Sequence, residues 1–141
     1  AATWYVTGVQ LEKGSTATSF DYRPYPTELS LCQRYFEKTF PTGTAVAQAA
    51  GFTGALISIV PIGDSLMYNN FIFASEKRAN PTITNFNPTQ SNAVYRTTSN
   101  LSDSSALTYI ITSGTRNASW YAGTGASQNP YAIHATASAE L

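Results

Sequence analysis

The side chains of this chain that could do chemistry are rings and amides rather than nucleophiles. Trp120 and Tyr121 precede the run Gly123-Thr-Gly-Ala-Ser-Gln-Asn129-Pro-Tyr131, and Tyr68-Asn69-Asn70 repeats the combination elsewhere. An aromatic face beside Asn, Gln, Ser and Gly suits a sugar. The ring stacks on the apolar C–H face of a pyranose, and amides and hydroxyls bond its hydroxyls. Trp120, Tyr121, Asn129, Tyr131, Tyr68 and Asn69 are therefore the expected ligand-contacting residues. Trp120 carries a second reading, since rings of its size are usually buried. For that residue core packing outweighs ligand contact.

Other chemistries lack their parts. No Gly-rich phosphate loop, HExxH, CxxC or nucleophile elbow occurs, so no catalytic residue, cofactor or metal site is assigned. Gly123-Thr-Gly125 reads as a hairpin loop, because a dinucleotide fingerprint needs a third Gly and a following helix. The carboxylates Glu12, Asp21, Glu28, Glu37, Asp64, Glu76, Asp103 and Glu140 are spread along the chain. An acid/base pair for glycoside cleavage would arise only by folding, and ion pairing is the default for each. His134 falls with Thr136, Ser138 and Glu140 on one face of a strand, opposite Ile133, Ala135, Ala137 and Ala139. It is expected to be solvated or hydrogen-bonded; a trimer would add the alternative of three copies meeting around an axial metal. Cys32, the only cysteine, sits among apolar neighbours and is expected to be a small buried hydrophobe.

The elements that position these residues read mostly as strands. Apolar or β-branched runs at 52–60, 69–76, 81–86, 93–97, 105–111, 115–121 and 130–138 are separated by turn-rich stretches. Short antiparallel strands at this spacing predict an all-β fold, a jelly-roll-like β-sandwich. Residues 3–12 alternate like a further strand, and 18–23 read as a short one before Pro24 and Pro26 break the pattern. The one predicted helix runs from Thr27 to Lys38. Thr27 is its expected N-cap, and Leu29, Leu31, Cys32, Tyr35 and Phe36 form a broad apolar face that must dock on something.

The chain has 141 residues, with eight Lys+Arg against eight Asp+Glu. Charged residues make up 11%, where an average soluble chain has about 25%. That leaves no electrostatic footprint for nucleic acid and no basic amphipathic helix for a membrane surface. A hydrophobic fraction of 43% argues against disorder. A surface so short of charge implies wetting by Ser, Thr and Asn, with part of it covered by identical neighbours. The opening Ala-Ala-Thr-Trp-Tyr-Val has neither a basic n-region nor a long apolar run, so no signal peptide is expected. It begins inside what reads as a strand, which suggests a piece of a longer polypeptide.

Residues 6–38 are distinctive: Val-Thr-Gly-Val-Gln-Leu-Glu-Lys-Gly-Ser-Thr-Ala-Thr-Ser-Phe-Asp-Tyr-Arg-Pro-Tyr-Pro-Thr-Glu-Leu-Ser-Leu-Cys-Gln-Arg-Tyr-Phe-Glu-Lys. This segment resembles the C-terminal region of bacteriophage tail fibre and tail-spike-like proteins, where such a run links a preceding module to a terminal β domain. Lys77-Arg-Ala-Asn-Pro-Thr-Ile-Thr84 and the closing Ala137-Ser-Ala-Glu-Leu141 resemble the same family more loosely. The strand at 52–60 and the loops after 86 depart from it, so ligand identity does not carry over. The resemblance implies a homotrimeric, non-catalytic fibre tip at the distal end of a virion. Its partners would be the rest of the fibre and the host's surface polysaccharide or lipopolysaccharide, with no nucleic acid and no membrane insertion. Residues 1–26 would be the exit of the preceding module, 27–39 a connecting helix and 40–141 the tip sandwich. The alternatives are a structural trimerisation cap and part of a polysaccharide depolymerase.

Overall fold

The computed structural model describes residues 9–16, 18–20, 22–60, 66–104, 108–123 and 129–140, with the backbone alone for 108–112. One short helix, α1 (Tyr25–Gln33), precedes eight strands: β1 (Phe36–Lys38), β2 (Leu56–Ile59), β3 (Leu66–Ile72), β4 (Thr82–Phe86), β5 (Arg96–Thr97), β6 (Thr108–Ser113), β7 (Asn117–Gly123) and β8 (Pro130–Ser138). All strand pairs are antiparallel. Among the described residues the fold is all-β with one short helix. Each of the seven strand segments expected from residue 52 onward contains or overlaps a strand; 105–107 lie outside the described residues.

β8 is the spine of the larger sheet. Its C-terminal half pairs with β1 and β4, and its N-terminal half with β2 and β5. The remaining strands form a second sheet in the order β3-β7-β6. One core draws on both sheets. Met67, Phe71, Ala118, Trp120 and Ala122 come from β3 and β7, and Tyr131, Ile133, Ala135 and Ala137 from β8. The alanines of β7 and β8 leave space for Trp120 and Tyr95, so large and small side chains interdigitate.

Two local expectations give way. The helix begins at Tyr25 rather than Thr27, because Pro26 fits the first turn, where no N–H is needed. The Pro24 carbonyl, instead of a Thr27 side chain, accepts the N–H groups of Thr27 and Glu28 at 3.0 and 3.2 Å. The helix stops at Gln33, and Phe36–Lys38 become a strand whose register opposes Ser138–Thr136. The β8 edge takes up backbone groups that a longer helix would have bonded internally.

The helix also docks less than its apolar face implies. None of its residues is buried, and Leu29, Leu31 and Cys32 are all exposed. Cys32 is therefore not the buried hydrophobe expected. Nor do the residues before α1 supply strands where they are described: Val9–Glu12, 18–20 and 22–23 carry none and are exposed. Residues 1–8, where most of the first expected strand falls, lie outside the described residues, as do 17 and 21.

Candidate binding face

Strand alternation splits β3 into two sets. Met67 and Phe71 enter the core, while Tyr68, Asn70 and Ile72 face out. β7 divides the same way, with Ala118, Trp120 and Ala122 fully buried and Asn117, Ser119 and Tyr121 partly exposed. The antiparallel register sets Tyr68 opposite Tyr121, Asn70 opposite Ser119 and Ile72 opposite Asn117. The outer face of this sheet therefore carries an aromatic step at one end and an amide–hydroxyl patch at the other.

The two phenol rings lie 6.0 Å apart between centroids and are tilted by 40°. Tyr68 is 54% exposed and offers its ring to solvent. The Asn70 Oδ1 accepts from the Asn117 Nδ2 at 3.0 Å and from the Ser119 hydroxyl at 3.1 Å. These bonds lock three polar side chains in one arrangement before any ligand arrives, which lowers the ordering cost of binding. A shallow concavity of about 550 Å³ is lined by Tyr68, Asn69, Asn70, Ser119 and Trp120. The Ser58 hydroxyl donates to the Tyr68 carbonyl at 2.6 Å and ties this sheet to β2. No charged residue occurs in Leu66–Ile72 or Asn117–Gly123. Chemically, such a face offers ring stacking and neutral hydrogen bonding.

The structure brings together part of the expected site. Tyr68 and Tyr121 meet across the strands, whereas Asn69, opposite Trp120, falls on the inner side and outside this pair. Trp120 is a core residue, at 0% exposure, and has no ring face for a ligand. Tyr131 is likewise packed in the core, at 3% exposure, in the cluster that also holds Ile133, Ala135 and Ala137 of β8. Asn129 is partly exposed, and the intervening loop 124–128 lies outside the described residues. Asn70, Asn117, Ser119 and Ile72 were not among the expected contacts. The period of two marks each within its own strand, but the pairing of β3 with β7 is the information that gathers them.

Asn69 sits on the inner side, where its Oδ1 accepts the Asn70 N–H at 2.8 Å. Its Nδ2 and the Trp120 indole are directed at the Tyr95 hydroxyl, although neither closes a hydrogen bond of ordinary geometry. Burial pushes the Tyr95 phenol well above its usual range, so it stays neutral at any physiological pH.

His134 is hydrogen-bonded, the second of its two expected settings, but it lies inside the fold and not on a solvated polar face. It is 1% exposed, because the segment after β1 lies over its side of β8. Its ring stacks on Phe40, with centroids 4.2 Å apart. The Nε2–H donates to the Gly51 carbonyl at 2.8 Å, and Nδ1 accepts from the Thr39 hydroxyl at 2.9 Å. Thr39 in turn accepts the Ala135 N–H at 3.1 Å. With both ring nitrogens engaged inside the fold, His134 is neither solvated nor able to converge with copies on an axial metal. Burial lowers its pKa below the ordinary imidazole value, against a smaller opposing effect of the Gly51 carbonyl.

Four carboxylates are tied into ion pairs: Glu28 with Arg23, Glu37 with Lys77, Glu76 with Arg116 and Asp103 with Arg96. Among the described residues no three metal-ligating side chains cluster, and no helix is long and apolar enough to cross a membrane. Comparison of the chain with known protein families, with curated proteins and with solved structures gives no match.

Proposed function

We propose that this chain is the tip of a bacteriophage tail fibre. It assembles as a homotrimer and attaches the virion to host surface polysaccharide or lipopolysaccharide without chemical turnover. The observation that carries the binding half is the outer face of β3 and β7. There an exposed Tyr68–Tyr121 step stands beside a prearranged Asn70–Asn117–Ser119 patch, on strands free of charge. The segment 6–38 carries the fibre half through its resemblance to fibre C-termini. On this reading the two sheets form a sandwich, and 40–141 is the tip proper.

Assembly draws support from what the single chain leaves exposed. Val9, Leu11, Phe20, Tyr22, Tyr25, Leu29, Leu31, Tyr35 and Phe36 are all exposed, and they crowd the residues before and within α1 and β1. A nine-residue helix is marginal alone and gains stability from covered apolar area. Two further copies of the chain supply that cover, and three identical weak sites raise avidity through effective concentration. Excess purified domain should block phage adsorption to the host and sediment at three times the chain mass. A domain that trimerises but neither binds cells nor competes with phage is a structural cap. Oligosaccharide released from host capsule would instead make it part of a depolymerase.

A further inference from the structure

Charge is so scarce in this chain that where it gathers is informative. The eight cationic side chains are Lys13, Arg23, Arg34, Lys38, Lys77, Arg78, Arg96 and Arg116. Three of them, Arg34, Lys77 and Arg78, line one groove of about 500 Å³ between α1 and the turn at Ser75–Arg78. A fourth, Arg116, stands outside the lining and is ion-paired with Glu76. The carboxylates here are already engaged. Glu37 holds the buried Lys77 ammonium at 2.6 Å and the Ala74 N–H at 3.0 Å. Glu76 takes Arg116 at 3.0 Å and the Thr115 hydroxyl at 3.1 Å.

Arg34 and Arg78 remain. Neither has an acidic partner among the described residues, although Arg23 and Arg96 do. Four cations against two carboxylates in and around the groove leave it about two charges positive, in a molecule whose formal charge is zero. The site is also partly ordered. The Arg78 guanidinium sits 5.2 Å from the Tyr35 ring centroid, and its backbone N–H donates to the Arg34 carbonyl at 3.0 Å. A guanidinium held on a ring loses less freedom when it binds. Ser30 and Ser75 add hydroxyls to the lining.

We infer that this groove binds an oxyanion, a phosphate or carboxylate group, between the guanidinium groups of Arg34 and Arg78. Arginine forks match both groups in geometry. The site is separate from the uncharged face of β3 and β7, but Leu31 and Tyr35 beside it belong to the surface that the proposed trimer covers, so the test below separates an oxyanion from a neighbouring copy.

Arginine Nε–Hε resonances of the intact protein, in whatever oligomer it forms, report the outcome when inorganic phosphate or acetate is titrated at constant ionic strength. Saturable shifts at Arg34 and Arg78 are expected, with a Kd in the millimolar range. Arg78→Gln should weaken binding at least tenfold, and Arg23→Gln should leave it unchanged. If Arg78→Gln fails to fold, Arg34→Gln, at the exposed helix end, serves instead. Tighter binding of phosphate assigns the site to phosphate groups; tighter binding of acetate assigns it to carboxylates. Shifts that rise linearly without saturation, or that persist in the variant, overturn the inference. It also falls if phosphate gives no saturable shift while Arg78→Gln reduces the sedimenting mass, since a neighbouring copy's carboxylate then fills the groove.

Discussion

His134 shows how one residue can be polar and internal at once. Its ring needs an acceptor for Nε2–H and a donor for Nδ1, and Gly51 and Thr39 supply them. Burial of the ring disfavours its charged, doubly protonated form. Its folded pKa is depressed, so the unfolded chain binds a proton that the native state refuses. Stability is then complete above the ordinary imidazole value of about 6.5 and falls as pH drops below it, by up to about 1.4 kcal/mol per pH unit. Urea unfolding at a series of pH values from 8 to 5 measures this, and His134→Gln should flatten the profile. Asp103 contributes in the same direction but at more acidic pH. Desolvation alone would raise its carboxyl, yet hydrogen bonds from Arg96, Asn92 and Asn87 outweigh that and hold it below the usual range.

Among the elements, α1 is attached by its C-terminal end. The Lys77 ammonium, buried beneath it, donates to the Gln33 carbonyl at 2.5 Å, pairs with Glu37 and lies 4.7 Å from the Phe73 ring centroid. Lys77→Met strands the Glu37 carboxylate beside apolar surface and should cost about 3 kcal/mol. The midpoint of urea unfolding reads that loss, and adding Glu37→Leu should recover most of it. An unchanged midpoint for the single variant would show that the pair does not anchor the helix. What was legible in the sequence follows from range. Period-two alternation marked β3, β7 and β8 within a few residues, since it depends only on local side-chain types. The same alternation put His134 on a polar face, and the segment 39–51 that covers this face lies more than eighty residues earlier in the chain. Tyr131 has the composition of a ligand contact, yet it joins the buried cluster that draws on both sheets; for Trp120 that core position was the favoured reading. The Tyr68–Tyr121 pair rests on a pairing across about fifty residues, which no local pattern encodes. The end of α1 was misread for a related reason, since β8 competes for Phe36–Lys38.

Taken as a whole, the molecule is a charge-poor β scaffold with two unlike surfaces. Its outer β3–β7 face is neutral, aromatic and amide-rich, whereas the residues around α1 expose apolar side chains that a trimer would cover. On the proposed reading the first surface grips carbohydrate and the second builds the assembly that multiplies weak grips. The most direct measurement is binding of the purified protein to a panel of bacterial surface polysaccharides, run beside Tyr68→Ala. Tyr68 is exposed, so its truncation should leave the melting temperature nearly unchanged. The account expects the native protein to bind at least one polysaccharide and the variant to bind it at least tenfold more weakly, with the oligomer mass unaltered. Equal binding by the two proteins, or no binding across the panel, would contradict it.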